Sequence, residues 1–317
     1  MAESPGRRNG RGRVAGALGL AGRWGYYAWH RLRATFGDRR PLLGGLKLTH
    51  DCNLECAHCP FWRKAGPSLS LEGASEAMRR MRAMGVRILI VEGGEPFLWR
   101  SGEHDLGDVV AEGRELFFCL GVTTNGTFPI ETEADVVWVS VDGLRETHDR
   151  IRGRTFDRIM ANIAASSHPK IYAHVTINSL NVEEIPALVE YLAGVVKGVT
   201  VQFHYPYEGL DESYCLSPEQ RVRVLDELIA LKRRGLPVAD SVACLQALKG
   251  NNWKCHSWMI ASADPDGRVV QGCYVKGRGR ISCERCGFSA HTEMSLAFDG
   301  RPGAMLTGQR IFSRPGN

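Results

Sequence analysis

The 317-residue sequence lacks a long hydrophobic run. It also lacks a signal-peptide pattern, because no apolar core leads to a small-residue cleavage site. The apolar stretch AGALGLAG near the N-terminus is too short and too rich in glycine to span a bilayer. No internal repeat or low-complexity segment interrupts residues 44 to 235. These absences predict a cytoplasmic globular protein, whose length and 44% hydrophobic content allow a large core.

Residues 1 to 40 lack lysine but contain nine arginines and two acidic residues, so they carry +7. Because the whole chain carries +5, residues 41 to 317 carry −2. In RWGYYAWHRLRATF, aromatic and apolar residues recur at helical spacing among basic ones: Tyr26, Trp29, Leu32 and Phe36. Such a helix is typical of peripheral binding to an anionic membrane, here at the inner face. A helix packed on its own domain explains the pattern equally well, and nucleic-acid binding is a less favoured third interpretation.

Strand-like and helix-like segments alternate from residue 44 onward. The six strand-like segments are GLKLTH, VRILIVEGG, LFFCLGVTTNG, DVVWVSVDG, KIYAHVTIN and VTVQFHY. This order predicts an α/β fold, a partial (β/α)6 parallel barrel, whose active site lies at the carboxyl ends of its strands. We expect a basic aromatic tail over residues 1–40, the barrel over 41–236 and a cysteine-rich extension over 237–317.

Two helices of the barrel carry clear local signals. Leu71, Ala74, Met78 and Met81 form a helical stripe, which we interpret as core packing. The segment SPEQ from residue 217 has the residues of a capping box, with proline at the first helical position.

Three of the ten cysteines, Cys52, Cys56 and Cys59, fall within eight residues after the first strand. Their spacing suits a loop around a four-iron cluster. Three ligands leave one iron without a protein donor, which is what a catalytic metal centre requires. A zinc site remains the alternative, although it needs a fourth ligand and His58 is squeezed between two candidates.

Further motifs follow the next strands in order. GGEP ends the second strand at residues 93–96, TTNG ends the third at 123–126, and SVDGLRETHDRIRG runs from Ser140 to Gly153. Together with C-x3-C-x2-C, this set resembles the radical S-adenosylmethionine (SAM) superfamily over residues 44 to about 210. One departure is His58, which stands where an aromatic residue is common before the third cysteine.

The resemblance implies a [4Fe–4S] cluster on Cys52, Cys56 and Cys59, with SAM chelated to the open iron. It implies reductive cleavage of SAM to a 5′-deoxyadenosyl radical, which abstracts hydrogen from a substrate or adds to it. An electron donor such as a flavodoxin or ferredoxin is implied as a partner. The residues that the resemblance places around SAM are Gly93, Gly94, Glu95 and Pro96 at the methionine amino group, Thr124 and Asn125 beside them, Ser140 and Asp142 near the ribose, and Asn178 near the nucleoside.

The C-terminal part contains a second set of cysteines, Cys255, Cys273, Cys283 and Cys286. The stretch around Asp264, Gly267 and Cys273 is similar to extensions of the SPASM or twitch type, which hold auxiliary clusters. The resemblance therefore implies a second [4Fe–4S] cluster, with Cys244 as a substitute ligand. A structural zinc site is the alternative, since a C-x2-C pair is common to both.

The substrate is the least defined part of the prediction. The extension favours peptide or cofactor maturation, whereas the arginine-rich aromatic tail favours a membrane lipid or isoprenoid. RNA modification is less favoured because no RNA-binding module is visible, and a non-enzymatic zinc adaptor would leave GGEP and SVDG unexplained. The segment after the sixth strand offers four candidate substrate contacts, His204, Tyr205, Tyr207 and Glu208.

Overall fold

The six predicted strands are all present and lie side by side in one sheet. The computed structural model describes residues 20–64, 66–207 and 212–314, with side chains from residue 22. Two further strands from the C-terminal part extend the sheet. The strands are β1 (Leu43–Lys47), β2 (Ile88–Glu92), β3 (Cys119–Thr124), β4 (Val136–Ser140), β5 (Ile171–Ile177), β6 (Gly198–Phe203), β7 (Ile260–Ala263) and β8 (Val269–Gln271).

The sheet order is β6-β5-β4-β3-β2-β1-β7-β8, and every neighbouring pair is parallel except the antiparallel hairpin of β7 and β8. Leu43 aligns with Ile88 on one side and with Ile260 on the other. Because all six leading strands run the same way, their carboxyl ends meet at one rim. The predicted α/β partial barrel is confirmed.

Ten helices connect and cover the strands in the described residues. The methionine stripe of the second helix is buried, with Met78 and Met81 fully inaccessible. Ser217 and Gln220 form the predicted capping box, with Pro218 as the first helical residue. The helices are α1 (Leu20–Thr35), α2 (Leu71–Met84), α3 (Leu106–Leu116), α4 (Arg145–Arg152), α5 (Phe156–Ala165), α6 (Ile185–Leu192), α7 (Pro218–Arg233), α8 (Val242–Gly250), α9 (Ser289–Phe298) and α10 (Pro302–Phe312).

The C-terminal segment joins the barrel more closely than the division at residue 236 suggests. β7 pairs with β1, while α9 packs against β6 and both α9 and α10 line the barrel interior. The two helices therefore fill the side of the barrel that six strands leave open. The predicted domain boundaries remain predictions, since sheet and core run across residue 236.

Helix α1 packs one face on the body of the protein. The Tyr26 ring meets Phe118 edge-on at 5.2 Å and its hydroxyl donates to Gly85 O at 3.3 Å. His30 Nε2 lies 2.9 Å from Arg40 O. An adjacent face and the turn after the helix expose Trp29, Leu32 and Phe36, whose exposed fractions are 47%, 57% and 84%. The predicted helix thus exists, and it has both a packed face and an exposed apolar face.

Among the described residues, no helix combines the length and the apolar character needed to cross a membrane.

Candidate functional site

The loop after β1 carries Cys52, Cys56 and Cys59 at the rim of the barrel, and all three line the central cavity. The loop is held by its own backbone: Cys59 N donates to Cys56 O at 3.1 Å, and Trp62 Nε1 donates to the same oxygen at 3.1 Å. The three thiols are therefore brought together by a short, internally bonded loop.

Because the thiols of Cys52 and Cys56 are at least partly buried, they resist deprotonation unless a cation lies close to them. Burial raises the pKa of Cys56 to about 11 and also raises the pKa of Cys52. A bound metal supplies the positive charge that deprotonates such thiols. The trio therefore has the chemistry of a metal site.

Gly94 brings the end of β2 against the start of the cysteine loop. Its N–H donates to Thr49 O at 2.7 Å, and the N–H of Glu95 donates to Asp51 O at 2.8 Å. A Cβ on Gly94 would lie 2.1 Å from Asp51 O, so no larger residue fits without moving the loop. Gly93 and Gly94 both line the cavity with their backbone.

The carboxylate of Glu95 is fully buried behind the cavity wall. It accepts hydrogen bonds from Thr124 Oγ1 at 2.7 Å, Asn125 N at 2.7 Å and Phe97 N at 3.1 Å. Burial raises its pKa to about 7, although these three donors oppose the rise. Glu95 therefore joins the GGEP segment to the TTNG segment, and Pro96, itself buried, starts a 3₁₀ turn beside it.

Asn125 connects the end of β3 to the cysteine loop. Its Nδ2 donates to Asn53 Oδ1 at 2.8 Å and lies 3.8 Å from Cys52 Sγ. Both Thr124 and Asn125 line the cavity. GGEP, TTNG and the cysteine loop thus form one hydrogen-bonded unit.

Ser140 ends β4 and lines the cavity, whereas Asp142 and Asn178 lie behind the wall. Asp142 accepts from Thr176 N at 2.7 Å and from Arg152. Asn178 Oδ1 accepts from Leu180 N at 2.9 Å. Among the predicted nucleoside contacts, Ser140 is the one that faces the cavity, and the other two hold the loops that surround it.

Arg152 was not singled out from the sequence, although it lies in the quoted RIRG segment. Its guanidinium bonds Asp142 and lies 3.8 Å from Cys56 Sγ, and it lines the cavity. His58 Nε2 lies 3.5 Å from the same Asp142 carboxylate. Burial lowers the pKa of His58 to about 4, so Arg152 is the cation of this group at neutral pH.

The four C-terminal cysteines gather although they are distant in sequence. Cys255 is exposed as a residue, but its thiol is partly desolvated. This desolvation raises the pKa of the Cys255 thiol to about 11, with smaller contributions from the thiols of Cys286, Cys273 and Cys283. Because three of these thiols contribute to the pKa shift of the fourth, all four side chains lie in one region. Cys244 instead is fully buried, and its thiol donates to Ser289 O at 3.7 Å.

A second buried network fastens the extension to the rim. Tyr274, next to Cys273, donates from its hydroxyl to Glu92 Oε1 at 2.8 Å, and Lys47 Nζ lies 3.4 Å from the same oxygen. Arg278 pairs with Asp264. No local pattern predicts this network, because its members are far apart along the chain.

The cavity at the centre of these groups has a volume of about 400 Å³. It is also lined by His204, Tyr205 and Tyr207, three of the four predicted substrate contacts, while Glu208 lies outside the described residues. Of the predicted cofactor and cluster residues, those that line it are Cys52, Cys56, Cys59, Gly93, Gly94, Thr124, Asn125 and Ser140.

Residues 46–192 match the family model of the radical SAM superfamily. These residues form a radical SAM domain. It is 28% identical over 216 residues to Fe-coproporphyrin III synthase of Methanosarcina barkeri (strain Fusaro / DSM 804), covering 62% of this chain and 53% of that protein. It is 31% identical over 169 residues to the sporulation killing factor maturation protein SkfB of Bacillus subtilis (strain 168), covering 48% and 40%.

The chain thus spans about half the length of these radical SAM relatives. Its fold is similar to the crystal structure of Streptococcus suis SuiB bound to precursor peptide SuiA. The TM-score is 0.63 with 14% identity, over 95% of this chain and 74% of that one, so this likeness concerns the fold.

Replacing Glu95 by glutamine tests whether its buried carboxyl group is partly protonated near neutral pH. A carboxyl whose pKa rises from 4.5 to about 7 on folding contributes stability that is full below pH 4.5 and is lost as pH rises through 7. The free energy of unfolding of the wild type, relative to that of Glu95→Gln, should therefore fall by about 3 kcal/mol between pH 4.5 and 8. Urea unfolding of the metal-free chain measures it.

Glu146→Gln, at an exposed position of α4, is the matched control. If the Glu95→Gln difference is as constant with pH as that of the control, Glu95 is ionised throughout and the assigned environment is wrong.

Proposed function

We propose that this protein binds a [4Fe–4S] cluster through Cys52, Cys56 and Cys59 and cleaves SAM reductively. The observation that carries the proposal is the bonded unit of the cysteine loop, GGEP and TTNG around one cavity. When bound, such a cluster supplies the electron that breaks the sulfonium carbon–sulfur bond of SAM, giving a 5′-deoxyadenosyl radical. A flavodoxin or ferredoxin is the proposed electron donor.

The chain's own groups bind and orient the cofactor. Gly93 and Gly94 present backbone at the cavity wall, where the methionine amino group of SAM is expected. Ser140 presents its hydroxyl where the ribose is expected. Glu95, Asp142 and Asn178, together with Pro96, keep these surfaces in place from behind.

Arg152 completes the cofactor site as a buried cation. Asp142 holds its pKa well above the usual range against the effect of burial, so it stays charged. It therefore balances the negative charge that thiolate ligands bring to the loop.

Peptide or cofactor maturation is the class of reaction that the relatives favour. The names of the two relatives above refer to iron coproporphyrin and to a sporulation killing factor, and SuiB was crystallised with a precursor peptide. For this chain we propose the same radical chemistry on a substrate held between the cysteine loop and His204, Tyr205 and Tyr207. A membrane lipid or isoprenoid is the second candidate, favoured by the exposed apolar face of α1.

Cys56→Ala should abolish SAM cleavage by the anaerobically reconstituted, dithionite-reduced protein, because the cluster loses a ligand that is 5% exposed and beside Arg152. Production of 5′-deoxyadenosine measures it. Cys215→Ala, at a half-buried cysteine outside the cavity, should keep wild-type turnover. Normal turnover by Cys56→Ala would falsify the proposal.

We also propose that Cys255, Cys273, Cys283 and Cys286 hold a second [4Fe–4S] cluster. A tetrahedral zinc ion with bonds of about 2.3 Å needs its sulfurs about 3.8 Å apart. In the part of the chain that the structure describes, three ligand atoms come within 4.8 Å of one another only at Asp240, Cys244 and Glu293. The wider spacing of the four sulfurs supports a multi-iron cluster over a single zinc ion.

Replacing Cys52, Cys56 and Cys59 together by alanine should leave roughly four irons per chain and a visible charge-transfer band, since four thiolates saturate one cubane. Metal analysis and absorbance of the anaerobic protein measure both. Additional replacement of Cys273 and Cys286 should remove this iron. A triple variant that contains zinc in place of iron contradicts the second cluster.

The exposed face of α1 is proposed to bind anionic membranes. Trp29, Leu32 and Phe36 offer apolar surface, and the Arg33 guanidinium lies 4.2 Å from the Trp29 ring centroid. Each arginine near an anionic surface contributes about 1 kcal/mol. Because residues 41 to 317 carry −2, attachment should depend on this N-terminal segment.

Full-length protein should co-sediment with phosphatidylglycerol vesicles at low salt and less at high salt. Replacing Trp29, Leu32 and Phe36 together by serine should reduce the bound fraction several-fold, whereas Leu306→Ser, at another exposed leucine, should not. Substitution is preferable to deletion of residues 1–40, because Tyr26 and His30 pack on the body. Equal sedimentation of the triple variant and wild type shows that α1 is only a packed helix.

A further inference from the structure

The central cavity continues below the cysteine loop as an apolar bore along the barrel interior. Its lower wall consists of residues from the amino-terminal halves of strands and from α9 and α10, such as Leu43, Trp138, Ile260, Met294, Ile311 and Phe312. Small residues keep the bore open: a Cβ on Gly45 would have its nearest neighbour at 3.7 Å, and one on Gly308 would meet nothing within 4 Å. The bore is therefore a space inside the barrel, bounded largely by hydrocarbon side chains.

Two acidic side chains of the lower wall have protein partners, whereas the buried Nδ1 of His291, which also lines the cavity, accepts or donates no hydrogen bond. Asp240 accepts from Val201 N at 2.8 Å, and Glu293 accepts from Ser241 Oγ at 2.9 Å. Burial raises the pKa of Asp240 to about 6 and that of Glu293 to about 8, so the pair carries about one charge at neutral pH. Lys232 faces both carboxyl groups and offsets that charge.

Helix α1 covers the lower end of the bore. Tyr26 and Tyr27 pack against the apolar cluster to which Leu43, Trp138 and Ile311 belong. One layer of side chains thus separates the bore from α1, and an adjacent face of α1 with the turn after it exposes Trp29 and Phe36. The exposed apolar surface and the bore lie at the same end of the molecule.

We infer that the bore receives the hydrocarbon chain of an amphiphilic, lipid-type substrate, with its reactive carbon held below the cysteine loop. This inference rests on the proposed radical chemistry and selects the second of its two candidate substrate classes, the lipid. A hydrocarbon chain gains affinity with each methylene that it buries. A peptide backbone would bring one N–H and one C=O group per residue, and a lower wall whose unpartnered buried polar atom is His291 Nδ1 cannot satisfy that many groups.

The test uses the full-length, anaerobically reconstituted protein and the fluorescent probe 11-(dansylamino)undecanoic acid. Dansylglycine, which has the same fluorophore and carboxylate without the chain, should bind at least tenfold more weakly. Gly308→Leu should weaken undecanoate binding at least tenfold, because its side chain enters open space in the bore. Gly303→Leu, on the same helix but outside the cavity wall, is the matched control and should bind like wild type.

Gly45→Val provides a second block from β1, should Gly308→Leu fail to fold. Equal probe affinity in wild type and both blocked variants, or no chain-dependent binding by wild type, overturns the inference. SAM cleavage by the wild type, measured in parallel, distinguishes failure of the lipid inference from failure of the proposed function. Cleavage without chain binding overturns the lipid inference alone, and chain binding without cleavage supports the bore while contradicting the proposed radical chemistry.

Discussion

The close approach of the Gly94 backbone to the loop after β1 is the contact on which the rest of the site depends. The N–H groups of Gly94 and Glu95 reach Thr49 O and Asp51 O, one residue before the first cysteine of the loop. Since a Cβ at residue 94 would overlap Asp51 O, the contact exists only because that residue is glycine. The position of Cys52 is thus fixed by backbone, and a side chain could not hold the loop as closely.

Two buried carboxylates hold the other loops of the rim in position. Glu95 joins the ends of β2 and β3, and Asp142 joins the end of β4 to β5 through Thr176 and to the cysteine loop through Arg152. Burying a carboxylate is costly unless it is hydrogen-bonded, and both have several donors. The motif residues therefore divide into those that face the cavity and those that position them, although both kinds stand in the same short sequence motifs.

Local sequence patterns predicted the six strands, the Met78–Met81 stripe and the Ser217 cap, because each depends on neighbours along the chain. The motifs also predicted which loops meet at the rim. Arg152, the Lys47–Glu92–Tyr274 network and the filling of the barrel by α9 and α10 were missed. These features arise from contacts between distant segments, and a periodic pattern does not reveal which partner a buried polar residue meets.

The two ends of the cavity differ in a way that the proposed radical chemistry would require. A reactive radical must be shielded from water, and at the upper rim the extension helps to do so, because Tyr205 accepts from Ser282 N and donates to Arg280 O near the C-terminal cysteines. At the lower end, shielding comes from α1 and the apolar wall of the bore. In the proposed function, a hydrocarbon chain in the bore would exclude water from below, so that substrate binding itself would close the site. A substrate that engaged only the rim would leave that space to water, and the protection of the radical would then depend on the extension alone.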